Sequence, residues 1–372
     1  MINGLIAAAM ALAVSVATDA EIDLLFAGDA MMHAGQIEAA KRGEKGYDYS
    51  YCFSTIAPYI QAADYAIVNL ETPVAKSAYS GFPQFNAPVS YVTALTDAGF
   101  DLFLTANNHT LDRRDKGLKQ TVAVLDSLGL THIGTYTDAA ERESRIPLIV
   151  NIKGFKVGFL NYTYGTNGFS VTSDAVVDYI NADKIRSDIA RTRNAGAEII
   201  VAAMHWGEEY TLTPVEYEKR WASFLEKEGV DIIMGGHPHV VQPMELRANT
   251  TTGKPIFVAY SHGNFISNMM TCDTRGGLLT RVTISRDSVG NAYVSDAAYR
   301  LVFTVPPVDT SFKPVLTATM TPAGERYGFV RDNYKVVPLD SVPSAWRSRA
   351  VDFASSARAI FKRHNIGPVT EE

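Results

Sequence analysis

The sequence predicts an α/β fold built largely on parallel strands, and three observations carry that prediction. Apolar runs of about six residues alternate with amphipathic stretches from residue 22 onward, the pattern of βαβ units. Five of those runs end on residues able to bind a metal ion. From residue 276 the alternation gives way to two long strand-like segments joined by a turn, which predicts an antiparallel addition to the core.

The five runs come first. Residues 22–28, IDLLFAG, lead to Asp29, and 65–70, YAIVNL, lead to Glu71. Residues 101–107, DLFLTAN, lead to Asn108 and His109, and 198–204, EIIVAAM, lead to His205. Residues 230–241, VDIIMGGHPHVV, run through Val230, Ile232, Ile233 and Met234, turn on two glycines, and deliver His237 and His239 on either side of Pro238. That last pair alone reads equally well as two surface histidines in a loop. Its recurrence at five strand tips favours a shared site, because an open parallel sheet gathers its ligands outside the carboxyl ends of the strands.

Between the runs, residues 41–51 are polar and tyrosine-rich and read as a loop near the site mouth. Residues 53–62 have the spacing of a short amphipathic helix, as do 89–98 and 116–128, the latter stopped by Gly129. The turn-rich, aromatic stretch 77–88, SAYSGFPQFNAP, reads either as a substrate-facing loop or as an ordinary surface connection. Strands follow at 132–134 and 157–162, and the glycine-rich loop 163–169 comes next. Helices are predicted over 183–194 and 214–228, with Gly196 and Gly229 just past their ends and Pro214 in the first turn of the second. Residues 255–260 form one more buried strand, leading into SHGNF at 261–265. Residues 278–285 and 292–304 read as the antiparallel pair, 305–322 as irregular, and 345–363 as a capping helix with Trp346, Ala350, Phe353, Ala357, Ile360 and Phe361 on one face.

A chain of 372 residues has ample material for a core, and 47% hydrophobic with 20% charged residues is ordinary globular composition. A formal net charge of −6 gives no support to a nucleic-acid partner, which calls for a basic face. The two cysteines, Cys52 and Cys272, read as separate buried thiols, although pairing in an oxidising compartment stays open. Residues 5–17, LIAAAMALAVSVA, are apolar, too short for a comfortable membrane span, and end on Ser15 and Ala17, a small-residue cleavage pattern. The expectation is a signal peptide within residues 1–20, cleaved after Ala17, or an uncleaved anchor, and hence an extracytoplasmic protein. No later stretch is long and apolar enough to span a bilayer.

The ordered set AGDAMMH, NLETPV, ANNHTLD, MHWGEEY, GGHPHVVQPME and YSHGNF is similar to the bacterial capsule and poly-γ-glutamate synthesis family, of CapA and PgsA type. The resemblance runs from about residue 24 to residue 268 and covers no motif after Gly276. It implies a calcineurin-like metallophosphoesterase fold: a layered sheet core with helices on its outer faces over 21–275, to which 276–372 adds antiparallel strands and a terminal helix. It also implies two divalent metal ions, Mn, Fe or Zn. Asp29 and His239 would serve one, His205 and His237 the other, Glu71 would bridge them, and Asn108 matches the asparagine ligand of the Asn-His motif. His109 matches the catalytic histidine. The residue types agree independently, since one Asn, two carboxylates and three imidazoles can hold two ions ~3.5–4 Å apart around an activated water.

One departure concerns Met31. Metallophosphoesterases usually open with Asp-x-His, and here Asp29 is followed by Ala30 and Met31. A thioether is a poor ligand for a hard ion, so one metal would be weakly held or absent. His33 lies off the spacing and reads as a neighbour rather than a ligand, the same caution applies to His262, and His132 and His364 read as satisfied or exposed imidazoles. Asp112, three residues after His109, is a candidate to orient that ring. Capping a helix is an equal reading for Asp112 or Asp115. Trp206, Glu208 and Tyr210 could line the pocket or pack beside it, and Arg113 with Arg114 could bind an anion or sit in solvent. The function expected is a metal-dependent, phosphoesterase-like hydrolase with His109 and Asp112 in catalysis. It would act on an anionic polymer or its phosphorylated or lipid-linked precursor, alongside membrane-bound synthesis machinery. The alternatives are a non-hydrolytic polymer-binding assembly or export factor and a metal-dependent amide hydrolase.

Overall fold

A computed structural model describes residues 21–307 and 333–372, and the backbone of two further strands, Pro314–Thr321 and Gly324–Arg331. The expected signal segment, residues 1–20, lies outside the described residues. No helix among the described residues is long and apolar enough to cross a membrane.

The chain forms a four-layered α/β/β/α core. The expected layered sheet core with helices on its outer faces is present, and the buried strands divide between two sheets packed face to face. The first runs in the order Lys335–Pro338, Ala292–Val305, Gly276–Arg286, Glu21–Ala30, Tyr65–Leu70, Leu102–Leu104, Thr131–Ile133. Its last four strands are parallel. The second runs Met244–Ala248, Pro255–Ala259, Ile232–Gly236, Ile199–His205, Phe155–Thr163, Leu148–Ile152, with four parallel strands in the middle and an antiparallel strand at each edge.

Strand parity explains the layers. Successive side chains of a strand point to opposite faces, so a strand covered on both sides must be apolar throughout. Leu24 and Phe26 enter the cluster between the sheets, together with Phe159, Val201, Ile232 and Phe257. Their neighbours Leu25 and Ala27 turn outward to Tyr91, Leu95 and Leu125 on the helices Val89–Ala98 and Arg114–Ser127. On the far side Ile200, Ala202 and Ile233 pack against Ile185 of the helix Ala182–Asn194 and Leu225 of the helix Glu216–Lys227.

The antiparallel addition is present as expected. Gly276–Arg286 pairs with both Glu21–Ala30 and Ala292–Val305, so this pair of strands belongs to the first sheet. The terminal helix, Arg347–His364, buries Ala350, Phe353, Ala354, Ala357 and Phe361 against the inter-sheet cluster; Trp346 lies in the turn before it.

Four local readings are corrected. The helix expected over 53–62 is two short pieces, Ser50–Phe53 and Ala57–Ile60; Pro58 cannot donate the backbone bond that would continue the helix from residue 54. Part of the irregular stretch 305–322 is the strand Pro314–Thr321, paired with Gly324–Arg331; a proline at a strand's first residue is tolerated there. The helix expected to open at Pro214 spans Glu216–Lys227. Cys272 is exposed rather than buried, and both cysteines are free thiols.

Candidate metal centre

The strand tips converge. Asp29 closes the strand Glu21–Ala30, Glu71 follows Tyr65–Leu70, and Asn108 and His109 follow Leu102–Leu104, all in the first sheet. His205 ends Ile199–His205, and His237 and His239 follow Ile232–Gly236, in the second. Both sheets therefore contribute to one cluster at their shared carboxyl edge. All seven residues are buried, none more than 4% exposed.

Glu71 stands between the imidazoles from the second sheet. Its Oε1 lies 3.6 Å from His205 Nε2 and 3.7 Å from His239 Nε2. Asp29 Oδ2 lies 3.2 Å from His239 Nδ1, and Asn108 Oδ1 lies 3.0 Å from His205 Nε2. The ligand atoms of Glu71, His205 and His237 fall within 4.8 Å of one another, and so do those of Asp29, Glu71 and His239. These are two donor sets sharing Glu71, the division the resemblance implied.

Two buried atoms show that cations fit here. Glu71 Oε1 and His237 Nδ1 are buried without a hydrogen-bond partner among the described residues. A native interior seldom leaves such atoms unpaired, and a divalent cation would satisfy both.

The electrostatics point the same way. Burial pushes the Glu71 carboxyl well above its ordinary range, and the Asp29 charge beside it adds to the shift. Burial also works to raise Asp29, but the His239 hydrogen bond and charge outweigh it and hold Asp29 below the ordinary carboxylate value. His205 is held well below its ordinary value by burial and by His237, and burial with the His239 charge brings His237 down to about 3. Neutral imidazoles are the form that binds a metal.

Supporting contacts fix individual rings. Asn264 Nδ2 donates to the Thr274 carbonyl at 2.9 Å, which leaves its Oδ1 to accept from His239 Nδ1 at 3.1 Å and frees His239 Nε2 for coordination. Asn69 Nδ2 donates to Asp29 Oδ1 at 2.8 Å and lies 3.4 Å from both Glu71 Oε2 and His205 Nδ1. His237 and His239 hold positive φ angles of 100° and 58°, a left-handed conformation that costs non-glycine residues on the order of 1–3 kcal/mol and persists where the surroundings demand it.

His109 stands beside the metal ligands with its own partner. Its Nδ1 lies 2.7 Å from Asp112 Oδ2, which also accepts the Phe85 amide at 2.7 Å. Asp112 therefore orients the ring and caps no helix. The residue before Arg114–Ser127 has no side-chain cap, and Asp115 accepts from Thr172. The Phe85 ring packs edge-on against His109 at 4.5 Å, so the 77–88 stretch reaches the site.

The remaining sequence candidates separate. His262 is a core residue, bonded to the Gly235 carbonyl at 3.0 Å and the Thr280 hydroxyl at 2.8 Å. His132 is buried against Asp126, and His364 is exposed. His33 is a neighbour: its ring lies 5.2 Å from Phe85 and its Nδ1 receives the Asn268 amide. Trp206 is fully buried and donates to the Tyr260 carbonyl, while Glu208 is exposed. Arg113 bonds Ser80 and Gln84, and Arg114 lies over the Phe169 ring, so neither is a free anion site. Tyr210 and Tyr164 stand half-exposed on the rim, with Tyr164 4.6 Å from the His237 ring.

Sequence reasoning missed Asn69, Asn264 and Glu209. A signal existed for Asn69, a lone polar residue in an apolar strand. Glu209 stood in the MHWGEEY motif, where attention went to Glu208; its carboxylate lies within 4.8 Å of ligand atoms of His237 and His239.

With this geometry in hand, relatives can be compared. The sequence profile described as "Bacterial capsule synthesis protein PGA_cap" matches residues 23–269, the part of the chain that carries every residue of the centre. The "Capsule biosynthesis protein CapA" of Bacillus anthracis is 27% identical over 70% of this chain and 63% of its own. The "PGA biosynthesis protein CapA" of Bacillus subtilis is 26% identical over 75% and 72%. This chain therefore spans somewhat less than two thirds of the first relative's length. Among solved structures, the NAD nucleotidase of Haemophilus influenzae aligns with a TM-score of 0.45 at 13% identity, over 91% of this chain and 56% of that one, too loosely to carry an argument.

Proposed function

We propose, for a chain that belongs to the bacterial capsule synthesis protein family PGA_cap, a metal-dependent hydrolase or transferase that acts at a phosphoester during assembly of an anionic surface polymer. Its substrate is a polymer of poly-γ-glutamate type, or a phosphorylated or lipid-linked precursor. The names of the capsule and poly-γ-glutamate relatives support that class. The apolar residues 5–17 support an extracytoplasmic place of action beside membrane-bound synthesis machinery.

The observation that carries the enzyme reading is His109, poised against Asp112 at 2.7 Å next to two donor sets that share Glu71. Asp29, Glu71, Asn108, His205, His237 and His239 would hold two divalent cations, manganese, iron or zinc. When bound, such a pair supplies charge to phosphoryl oxygens and a water acidic enough to attack near neutral pH. The chain's own residues do the rest. Asp112 orients the His109 ring through Nδ1, which leaves Nε2 as the nitrogen to stabilise or protonate the leaving oxygen. A module that only binds polymer has no use for this pair.

A second reading, a polymer-binding assembly factor on the same scaffold, is favoured by one feature: Met31 stands where the Asp-x-His pattern has its histidine. His109→Ala separates the two. With manganese, iron or zinc supplied in turn, turnover of phosphomonoesters, phosphodiesters or lipid-linked diphosphates should fall about 10²–10⁴-fold while metal content is kept. Loaded wild type that is inert on every substrate, with capsule assembly still complemented by His109→Ala, would overturn the enzyme reading.

A further inference from the structure

We propose that Glu209 is a displaceable ligand of the metal at the Asp29–His239 position, and that an anionic substrate oxygen takes its place. The proposal rests on the metal-centre reading above and assigns a residue outside the strand-tip set.

The carboxylate of Glu209 and the ring nitrogens of His237 and His239 offer ligand atoms within 4.8 Å of one another. Glu209 reaches that place from the loop directly after His205. Gly207 and Tyr210 turn this loop with positive φ angles of 86° and 66°. The Tyr210 amide donates to the Pro238 carbonyl at 2.8 Å, which ties the loop to the turn carrying both histidines.

Donor counting gives the carboxylate a role. The His205 side of the cluster has Glu71, His205 and His237, with Asn108 Oδ1 3.0 Å from His205 Nε2. The other side has three donors, Asp29, Glu71 and His239. It is one donor short, and Met31 stands where a histidine would supply it. A carboxylate suits a hard divalent ion far better than a thioether.

Exposure gives the ligand its character. Asp29, Glu71, His205, His237 and His239 are all buried, whereas Glu209 is exposed. Water can solvate the Glu209 carboxylate when it leaves. The oxygen that displaces it must also be anionic, a phosphate oxygen or a glutamyl carboxylate. A γ-linked glutamyl chain presents free α-carboxylates, groups of the same chemical class as the Glu209 carboxylate.

Manganese titration of the full chain by calorimetry tests this on wild type, Glu209→Gln and Glu209→Asp. Glu209→Gln should weaken the looser of two manganese sites about 10–100-fold and leave the tighter one unchanged, with partial recovery in Glu209→Asp. Inorganic phosphate and a γ-linked glutamate trimer, titrated separately into the loaded proteins, distinguish the two oxygen sources. Removing the competing carboxylate should tighten at least one of them, and the one that gains more identifies the source. Equal manganese affinities in wild type and Glu209→Gln overturn this inference and leave the metal centre standing. Weaker binding of both anions to Glu209→Gln overturns displacement. A wild type that takes up no metal at all overturns the centre and this inference together.

Discussion

Two histidine segments of this molecule touch each other and have opposite character. The turn carrying His237 and His239 leaves the second sheet just after Gly235, and the segment carrying His262 packs on that same glycine, its amide 3.1 Å from the Gly235 carbonyl. All three rings are buried. Both nitrogens of His262 have partners, Gly235 and Thr280, whereas His237 Nδ1 has none among the described residues. The His262 backbone is unremarked by strain, while His237 and His239 both sit at positive φ. A buried histidine is therefore no sign of a ligand by itself. What distinguishes the candidate ligand is an unmet bonding capacity held by a backbone at positive φ.

The largest test of this contrast is metal content. His205→Ala with His237→Ala should abolish divalent metal binding, read by elemental analysis after reloading, with far-ultraviolet circular dichroism unchanged. His262→Gln should keep the full metal complement. Equal metal content in all three proteins would erase the distinction.

Acid stability comes next. Burial brings His262 down to about 4, below its ordinary 6.5, so the folded protein prefers the neutral ring. Its contribution to stability is fully present above pH 6.5 and is lost as pH falls from there through about 4, on the order of 3 kcal/mol in all. Denaturant titrations of metal-free protein at pH 7 and pH 4 should show that loss, and His262→Gln should flatten it. The His262 slope should persist when divalent metal is supplied. An identical slope in wild type and His262→Gln would remove His262 from the acid response.

The smallest effect concerns the junction between the segments. A Cβ at Gly28 would overlap the Gly263 carbonyl oxygen and press on the His262 side chain, while residue 29 next to it is the Asp ligand. Gly28→Ala should cost about 1–3 kcal/mol and weaken metal binding at the same time, measured by melting and by manganese titration on one sample. Lost stability with unaltered metal affinity would show that the two segments move independently.

Several parts of this architecture were legible without coordinates. The strand Tyr65–Leu70 and the helix Val89–Ala98 have the expected limits, because apolar runs and helical spacing are local properties. Within each sheet the candidate ligands share one edge, because each follows a strand whose direction the βαβ rule already sets. Asn69 and Glu209 escaped notice for a different reason. Their neighbours at the site are up to 136 residues away for Asn69, and no spacing along the chain encodes such a meeting.

The sequence alone determined most of the buried strands and which donor residues follow them. Those facts follow from hydrophobic periodicity and from side-chain chemistry, both local. Tertiary structure decided that Glu21–Ala30 and Ile199–His205 lie in different sheets, because an all-apolar strand fits either and only packing of opposed faces chooses. It also decided which imidazole keeps a free nitrogen. Hydrogen-bond satisfaction is settled through space, by Thr280 beside His262 and by the lack of a hydrogen-bond partner for His237 Nδ1 among the described residues.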